Sequence, residues 1–341
     1  MLNNSPYFLK PASVQSVMLR VLLALLPGIA VYVWFFGAAI LLQIVLASVT
    51  ALAAEAAMLA LRRKPVLLFL TDGSALVTAW LIALTFPPIA PWWLTVTATL
   101  CAIVIAKHLY GGLGQNPFNP AMVAFALMIV AFPQLMSQWP RVDATDFTVQ
   151  WEAIFGNRQV LDAVTMATPL DALRTVLRDP EQRAVIAGIL GKYATFGNVG
   201  GRGWEWIAAG YCLGGLYLLQ QRIITWHMPV AFLATLFAVS GTFALVEPDR
   251  FAGPGFQLFT GGAMLGAFFI VTDPVSAATT PRGKLIFAAG AALLTWVIRT
   301  FGAYPDGIAF AVLLMNICTP LIDMYTQPPV FGHKGGGRKT P

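Results

Sequence analysis

Long stretches without any charged side chain dominate this sequence. Residues 21–54, 73–106 and 108–140 contain no Asp, Glu, Lys or Arg, and shorter stretches of the same kind follow between residues 223 and 322. A helix that crosses the hydrocarbon core of a bilayer needs about 20 mostly apolar residues. A soluble chain of this size could not remove so much apolar surface from water, because much of any folded surface stays exposed. The sequence therefore predicts an integral membrane protein.

The composition excludes several other classes of protein. Hydrophobic residues make up 58% of the chain and charged residues 11%, against about 45–50% and 25% in soluble domains. The formal net charge of +6 comes from basic residues at the ends of apolar stretches, so we expect no nucleic-acid partner. Cys101, Cys212 and Cys318 lie inside apolar stretches without ligand spacing. We therefore expect no iron–sulfur or other metal site in this chain.

The apolar stretches divide into about ten helices in an all-α membrane fold. The predicted helices cover residues 17–36, 38–61, 66–86, 92–110, 119–133, 203–221, 228–246, 256–273, 284–300 and 305–323. Four regions follow from this division. They are a first five-helix repeat (1–140), an extracytoplasmic segment (141–202), a second five-helix repeat (203–326) and a tail (327–341).

Lysine and arginine predict the orientation of the chain. With the N terminus in the cytoplasm, most basic residues of the short connections face the cytoplasm, and only Arg250 and Arg299 lie in short outer connections. We therefore expect both termini in the cytoplasm. Residues 141–183, which are rich in charged side chains, then lie outside as a polar loop between helices five and six. Residues 184–202 are mildly apolar and rich in glycine, which favours a re-entrant or interfacial segment.

The two halves of the chain contain similar short sequences. The matching stretches are residues 70–76 with 259–265, residues 120–127 with 305–312, and Lys107 with Arg299. Because five is an odd number, two successive repeats of five helices must have opposite topology in the membrane. Inverted repeats are typical of folds whose binding site lies between the halves near the middle of the bilayer. The repeat alone does not identify a substrate.

Thr168 occupies the most informative position in the polar segment. Pro169 follows it and Asp171 stands three residues later, a pattern typical of a helix N-terminus capped by Thr168. The same geometry would suit a phosphoester on Thr168, because the free N–H groups and the helix dipole favour a phosphate. The pattern alone leaves open whether Thr168 is only a helix cap or also a cofactor anchor.

Four residues of this segment carry a resemblance to a known family. Asp162, Thr165, Ala167 and Thr168 match the pattern Asp-x-x-Ser/Thr-x-Ala-Thr. The segment resembles the flavin-attachment motif in the membrane subunits of two related complexes. These are the ion-translocating ferredoxin:NAD oxidoreductase (Rnf) complex and the sodium-pumping NADH:quinone oxidoreductase.

The resemblance extends over nearly the whole chain. Residues 111–121, 272–283 and 304–307 are similar to the D subunit of the Rnf complex, and the chain length also favours the D subunit over its larger NADH:quinone counterpart. Residues 197–205 depart from the family, since they are bulkier and more basic than its Gly-Ser-x-Gly-Glu stretch.

The resemblance implies a function for the chain. It implies a subunit of the bacterial inner membrane that carries FMN through its phosphate on Thr168, with Asp162, Thr165 and Ala167 in support and residues 141–183 in the periplasm. It implies a second, non-covalent flavin such as riboflavin, and a flavin transferase for maturation. The other Rnf subunits (A, B, C, E and G) would carry the iron–sulfur, flavin and nucleotide sites. The whole complex would couple electron transfer between ferredoxin and NAD to the translocation of Na⁺ or H⁺.

Ionisable residues within the apolar stretches are candidates for an ion path, because charge inside a membrane is costly. We single out Glu55, Asp72 and Asp273. Glu55 lies about 10 Å from the basic helix end at Arg62, at 1.5 Å per residue. Two plainer interpretations stay open. Glu55 could pair with a cation such as Lys107, and the two aspartates could cap helix ends.

Two other functions remain open from the sequence alone. Inverted five-helix repeats also build channels and transporters for small neutral solutes, and a membrane anchor for redox subunits would need no chemistry of its own. A solute channel has no need for the Asp162–Thr168 pattern. The presence or absence of flavin on the chain therefore discriminates between these functions.

Overall fold

Helices dominate the fold. The computed structural model describes residues 13–156, 158, 161–178, 195–304 and 306–328. Five helices in this part are long and apolar enough to cross a membrane, namely Val14–Phe36, Ala39–Leu61, His227–Val246, Pro281–Phe301 and Ile308–Thr326. Shorter apolar helices accompany them. The predicted all-α membrane fold is confirmed, whereas the number of spans, about ten, stays a prediction.

The elements of the first half follow the predicted segments. They are α1 (Val14–Phe36), α2 (Ala39–Leu61), α3 (Val66–Leu70), α4 (Ser74–Thr85), α5 (Trp92–Leu100, continued by a π-helix over Cys101–His108), α6 (Pro120–Ala131) and α7 (Pro133–Met136). The polar segment contains β1 (Trp139–Pro140), α8 (Phe147–Phe155), α9 (Leu161–Val164), β2 (Thr165–Met166) and α10 (Pro169–Arg178).

The second half repeats the pattern of long and broken helices. Its elements are α11 (Trp204–Gln220), α12 (His227–Val246), α13 (Pro254–Phe259), α14 (Ala263–Leu265, continued by a π-helix over Gly266–Ile270), α15 (Pro281–Phe301) and α16 (Ile308–Thr326). Of the predicted interfacial segment 184–202, residues 184–194 lie outside the described residues, and residues 196 and 201 form an isolated antiparallel bridge. The part of the predicted tail beyond residue 328 also lies outside the described residues.

Two helices predicted to be continuous are broken. The predicted helix over 66–86 is interrupted between α3 and α4, and the predicted helix over 256–273 between α13 and α14. Gly73 and Gly261 have φ angles of 79° and 59° at these points, a left-handed conformation that glycine adopts without steric cost. The two breaks fall in the stretches that the sequence comparison of the halves aligned.

The helices of the two halves pack directly on each other. Helix α1 packs along α11, α2 packs against α4 and α5, and α15 packs against both α12 and α16. The hydrophobic core runs through both halves and contains many fully buried alanines. Small residues at such contacts allow helices in a membrane to approach closely, which strengthens van der Waals packing.

Gln150 of α8 joins the polar segment to the membrane helices. Its amide nitrogen donates to the carbonyl of Phe36 at 2.7 Å, and its amide oxygen accepts from the N–H of Ala39 at 2.9 Å. These are backbone groups at the end of α1 and the start of α2, which have no partner within their own helices. The polar segment is thereby held against the end of the helical bundle.

Candidate functional site

Thr168 begins helix α10 in the manner that the sequence pattern predicts for a cap. Its Oγ1 accepts a hydrogen bond from the N–H of Asp171 at 3.2 Å and donates one to Oδ2 of Asp171 at 2.8 Å. The Thr168 side chain is half-buried. The helix N-terminus and the orientation of the hydroxyl are therefore fixed by the same pair of residues.

The residues before Thr168 form an extended stretch held by backbone pairing. Strand β2 pairs with β1 so that Thr165 lies opposite Pro140. The carbonyl of Ala167 accepts a hydrogen bond from Thr195 at 3.1 Å. The side chain of Asp162 lies outside the described part of the chain. Thr165 and Ala167 thus belong to the segment that positions Thr168.

Burial changes the acidity of the carboxyl next to Thr168. Burial raises the pKa of Asp171 above its ordinary value, and the nearby carboxylate of Asp306 raises it further. The hydrogen bond from Thr168 and the charge of Arg174 act in the opposite direction. Because burial is the largest of these effects, Asp171 takes up a proton at a higher pH than an ordinary aspartate.

A cavity opens between the two halves beside Thr168, and we call it the Thr168 cavity. The part of its lining that we call its mouth consists of Thr168, Pro169, Gly261, Gly262 and Asp306. Most of the surface is apolar. The aromatic side chains in its wall are Tyr32, Phe125, Trp139, Trp204 and Tyr211. An apolar, aromatic cavity with a few polar groups at one end is typical of a cofactor site.

A buried arginine holds the helix break at the mouth of this cavity. Arg299 donates to the carbonyl of Gln257 at 2.8 Å and pairs with Asp306 at 3.2 Å. Asp306 also accepts from the N–H of Gly262 at 2.7 Å. The break between α13 and α14 is therefore stabilised by a charge pair. Arg299 is the residue that the internal repeat aligns with Lys107.

A second cavity lies between the halves at the opposite end of α1, and we call it the Asp273 cavity. Its polar side chains include Ser74, Lys107, Asn116, Asn119 and Asp273, and Phe268 and Phe269 form part of the apolar wall. Asp273 accepts from Ser276 at 2.7 Å and from the N–H of Val275 at 3.1 Å. Asp273 therefore caps a turn, as one interpretation of the sequence expected, and also faces the cavity.

The two cavities are lined by opposite ends of the same helices. The Thr168 cavity uses the C-terminal part of α1 and the N-terminal part of α11, whereas the Asp273 cavity uses the reverse parts of both. The C-terminal end of α4 reaches the first cavity and its N-terminal end reaches the second. In the second half, Leu265 at the end of α14 lines the first cavity and Phe268 and Phe269 of the π-helix line the second, while Ile270 lines the first. This antiparallel arrangement is the one that an inverted repeat requires.

Glu55 lies within a buried ion pair. Lys107 donates to its two carboxylate oxygens at 2.9 and 2.8 Å and to Ser74 at 2.8 Å, and Glu55 and Lys107 are 3% and 2% exposed. Nε2 of His108 lies 3.1 Å from the same carboxylate. Arg62 contacts Nδ1 of His108 at 3.4 Å. This pairing of Glu55 with Lys107 is the interpretation that the sequence allowed as an alternative to an ion-path role.

Asp72 caps the helix that follows the first break. Its Oδ1 accepts from the N–H of Ser74 at 2.7 Å and from the hydroxyl of Ser74 at 2.6 Å. Asp72 and Glu55 both line a further cavity with Arg62 and His108. The three ion-path candidates therefore lie at the same end of the bundle, the end of the Asp273 cavity.

The chain matches one protein family over almost its whole length. The family described as NQR2, RnfD, RnfE covers residues 1–332. The chain belongs to this family. The fold, the broken helices and the Thr168 segment described above are therefore features of one member of the NQR2, RnfD, RnfE family.

Members of the family with similar sequences have the same name in several bacteria. The chain is 47% identical over 350 residues to the D subunit of the ion-translocating oxidoreductase complex of Yersinia pseudotuberculosis, with 98% of each chain covered. It is 47% identical to the protein of that name in Aliivibrio salmonicida, with 98% of this chain and 99% of the relative covered. The corresponding protein of Aeromonas salmonicida is 48% identical, with 96% and 97% covered.

The stretch that departs from the family resemblance supports the start of α10. The carboxylate of Glu205 accepts from the N–H groups of Val199 and Gly200 at 3.0 and 3.2 Å. Gly201 lies against the ring of Pro169, so closely that a Cβ at position 201 would overlap it. Local sequence patterns contain no signal for this contact, because it joins residues more than thirty positions apart.

Proposed function

We propose that this chain is the flavin-carrying membrane subunit of a bacterial complex that couples electron transfer between ferredoxin and NAD to the translocation of Na⁺ or H⁺. The observation that carries the proposal is the Thr168 hydroxyl, which is half-buried at a helix N-terminus beside an aromatic cavity. Family membership supports it, since the relatives are named as subunits of an ion-translocating oxidoreductase complex. The relatives' names favour this function over a solute channel.

The residues around Thr168 fit a flavin linked through its phosphate. The N-terminus of α10, which has ten residues, favours an anionic group on the capping side chain. The aromatic wall of the Thr168 cavity fits a planar, largely apolar ring. A flavin bound there would supply one- and two-electron transfer. Thr168 would hold the phosphate, while Thr165 and Ala167 set the path of the chain that presents it and Asp162 belongs to the same motif.

The Asp273 cavity is our candidate site for the second, non-covalent flavin, such as riboflavin. The observation that favours it is the antiparallel correspondence of the two cavities. Asn116 and Asn119 line the cavity and are 5% and 4% exposed, and their amides also bond to the carbonyl of Phe118 and to the carboxylate of Asp273. Phe268 and Phe269 offer apolar contact to a ring.

We also propose that the coupled cation enters at the end of the Asp273 cavity. Of the three candidate acids, Asp273 faces the cavity between the halves, while Glu55 is neutralised by Lys107 and Asp72 caps α4. A carboxylate at a cavity within a membrane is a functional candidate by default. In the proposed orientation, with both termini in the cytoplasm, this end is cytoplasmic and Thr168 is periplasmic.

The proposal assigns the remaining redox groups to partners. The described residues contain no group of His, Cys, Asp and Glu that could hold a metal ion, and the three cysteines are free. The A, B, C, E and G subunits of the same complex would therefore carry the iron–sulfur, flavin and nucleotide sites. A flavin transferase would modify Thr168 from the outer face.

The test of this function is whether flavin stays on the denatured chain. The chain is produced with and without a bacterial flavin transferase, separated in SDS and observed under ultraviolet light. We expect a fluorescent band only with the transferase, because denaturation removes a flavin that is not covalently bound. A dark band in both samples would contradict the proposal and favour the solute channel.

Gly201→Ala is expected to reduce flavin attachment. The new Cβ would overlap Pro169 and push the start of α10 out of place, and such overpacking costs about 1–3 kcal/mol. The measurement is the flavin fluorescence per chain in SDS. Gly253→Ala is the matched control, since its Cβ would meet nothing within 4 Å and its φ is −66°. Equal attachment in both variants would show that the contact with Pro169 does not position Thr168.

Flavin attachment is expected to fall when the pH is lowered through the pKa of Asp171. The ionised carboxylate accepts the hydrogen bond from Thr168 and orients its hydroxyl, and protonation removes that charge. Because burial raises the pKa of Asp171, the fall begins at a higher pH than for an ordinary aspartate. The measurement is the attachment rate of the wild type divided by that of Asp171→Asn, which stays neutral at every pH. A ratio that does not change with pH would contradict this role.

A further inference from the structure

Two buried tyrosine hydroxyls in the wall of the Thr168 cavity have no hydrogen-bond partner among the described residues. Tyr32 of α1 is 2% exposed and Tyr211 of α11 is 5% exposed. Leaving a buried hydroxyl without a partner costs free energy. Two such hydroxyls in one cavity, on helices from different halves, point to a polar group that completes the site.

Packing fixes the direction of both rings. The ring of Tyr32 contacts Phe36 and Trp204, with centroid distances of 5.2 and 6.3 Å. The ring of Tyr211 contacts Phe269 at 6.1 Å and lies against Gly28, where a Cβ would overlap it. These contacts involve the rings and not the hydroxyl oxygens, so they do not account for the two hydroxyls.

The other hydroxyl and carboxyl side chains of the cavity already have partners. Thr85 donates to the carbonyl of Leu81 at 2.8 Å, Thr168 pairs with Asp171, and Asp306 pairs with Arg299. Much of the remaining wall is aliphatic, as at Leu84, Met122 and Ile270. Among the described residues, the two tyrosine hydroxyls are therefore the buried hydroxyl groups in the wall of this cavity that have no partner.

The tyrosines lie below the mouth of the cavity. Tyr32 stands four residues before the end of α1 and Tyr211 seven residues after the start of α11. At 1.5 Å per residue these positions are about 6 Å and 10 Å from the helix ends. Thr168 lines the same cavity, so a group tethered to it can enter the space that both tyrosines line.

We propose that Tyr32 and Tyr211 donate hydrogen bonds to the polar edge of the isoalloxazine ring carried by Thr168, and so position the ring and raise its reduction potential. This inference rests on the proposed function. The ring has an apolar dimethylbenzene end and a polar edge of carbonyl oxygens and ring nitrogens, which matches an apolar cavity with two donors. Reduction places negative charge on the polar edge, and donors to that edge stabilise the reduced form.

The first test is a redox titration of the covalently bound flavin in Tyr32→Phe and Tyr211→Phe. Each variant loses one donor, and we expect the ratio of reduced to oxidised flavin at a fixed potential to fall about tenfold, or about 30 mV for a two-electron couple. Tyr217→Phe is the control, because Tyr217 lies on α11 but does not line the cavity. An unchanged potential in both variants, with flavin attached, would overturn the inference.

The second test measures thermal stability with and without the tether. In the Thr168→Ala background, Tyr32→Phe and Tyr211→Phe are expected to raise the melting temperature, because each removes an unpaired buried hydroxyl. In the flavin-carrying protein the same substitutions are expected to lower it. An equal loss in both backgrounds would show a purely structural role and overturn the inference.

Failure of the proposed function gives a different result. If the wild-type chain carries no covalent flavin, then both the function and this inference are wrong. If flavin is attached but neither its potential nor the stability difference changes, then only the role of the two tyrosines is wrong.

Discussion

Replacing Thr168 with alanine is expected to abolish electron-driven cation uptake by the assembled complex. Thr168 supplies the oxygen that would carry the phosphoester, and a flavin without its tether would be lost from the electron path. The measurement is cation uptake into vesicles that contain the complex, driven by a low-potential electron donor. We expect uptake to fall to the level of vesicles without the complex, while the subunits still assemble.

Two matched variants separate the tether from the helix cap. Thr168→Ala also removes the hydrogen bond to the N–H of Asp171, and losing a cap costs about 1 kcal/mol. Thr168→Asn keeps a capping side chain but offers no hydroxyl, so we expect the same loss of uptake. Thr168→Ser keeps both functions and is expected to retain uptake. Normal uptake by Thr168→Asn would show that Thr168 is only a cap.

Breaking the buried pair of Glu55 and Lys107 is expected to have the largest effect on stability. Glu55→Leu leaves Lys107, which is 2% exposed, without its counter-charge, and such a change costs about 3–5 kcal/mol. Combining it with Lys107→Met removes both charges, and we expect stability to recover to near that of the wild type. The measurement is the melting temperature of the purified protein in detergent.

The double variant also tests whether Glu55 is an ion-path residue in addition to Asp273, on which the proposed path rests. If Glu55 takes part in cation movement, the double variant folds but does not support uptake. Arg250→Met is the control, because Arg250 and Glu247 form an exposed pair and exposed pairs contribute little. A single variant Glu55→Leu as stable as the wild type would contradict the structural role of the pair. A double variant with full uptake would contradict a role for Glu55 in the path.

The helices can be predicted from the sequence because each one is specified by a continuous stretch of apolar residues. A stretch of apolar residues must be a helix inside a membrane, since every backbone group needs a partner there. The two breaks escaped the prediction because a single glycine is tolerated inside a helix, so Gly73, which follows Asp72, and Gly261 do not by themselves mark an interruption. The repeat had already aligned the two stretches, with Gly73 opposite Gly262 and Gly261 opposite Asp72, so the alignment of the halves contained part of the signal.

The candidate site is only partly predictable from the sequence. The cap at Thr168 depends on residues three positions apart, and the pattern predicted its geometry. The partners of Glu55 depend on how α2 meets the π-helix, and the sequence offered Lys107 only as one alternative. The unpaired hydroxyls of Tyr32 and Tyr211 depend on the packing of two helices from different halves, and nothing in the local sequence marks them.

The most direct test of the proposed flavin anchor is the intact mass of the chain after production with a flavin transferase, followed by peptide mapping. We expect one FMN, joined with the loss of one water, on the peptide that contains Thr168, and fragmentation that places it on Thr168 rather than Thr165. An unmodified mass would contradict the proposal that this chain carries a covalent flavin. A modification on Thr165 would contradict the assignment of the anchor.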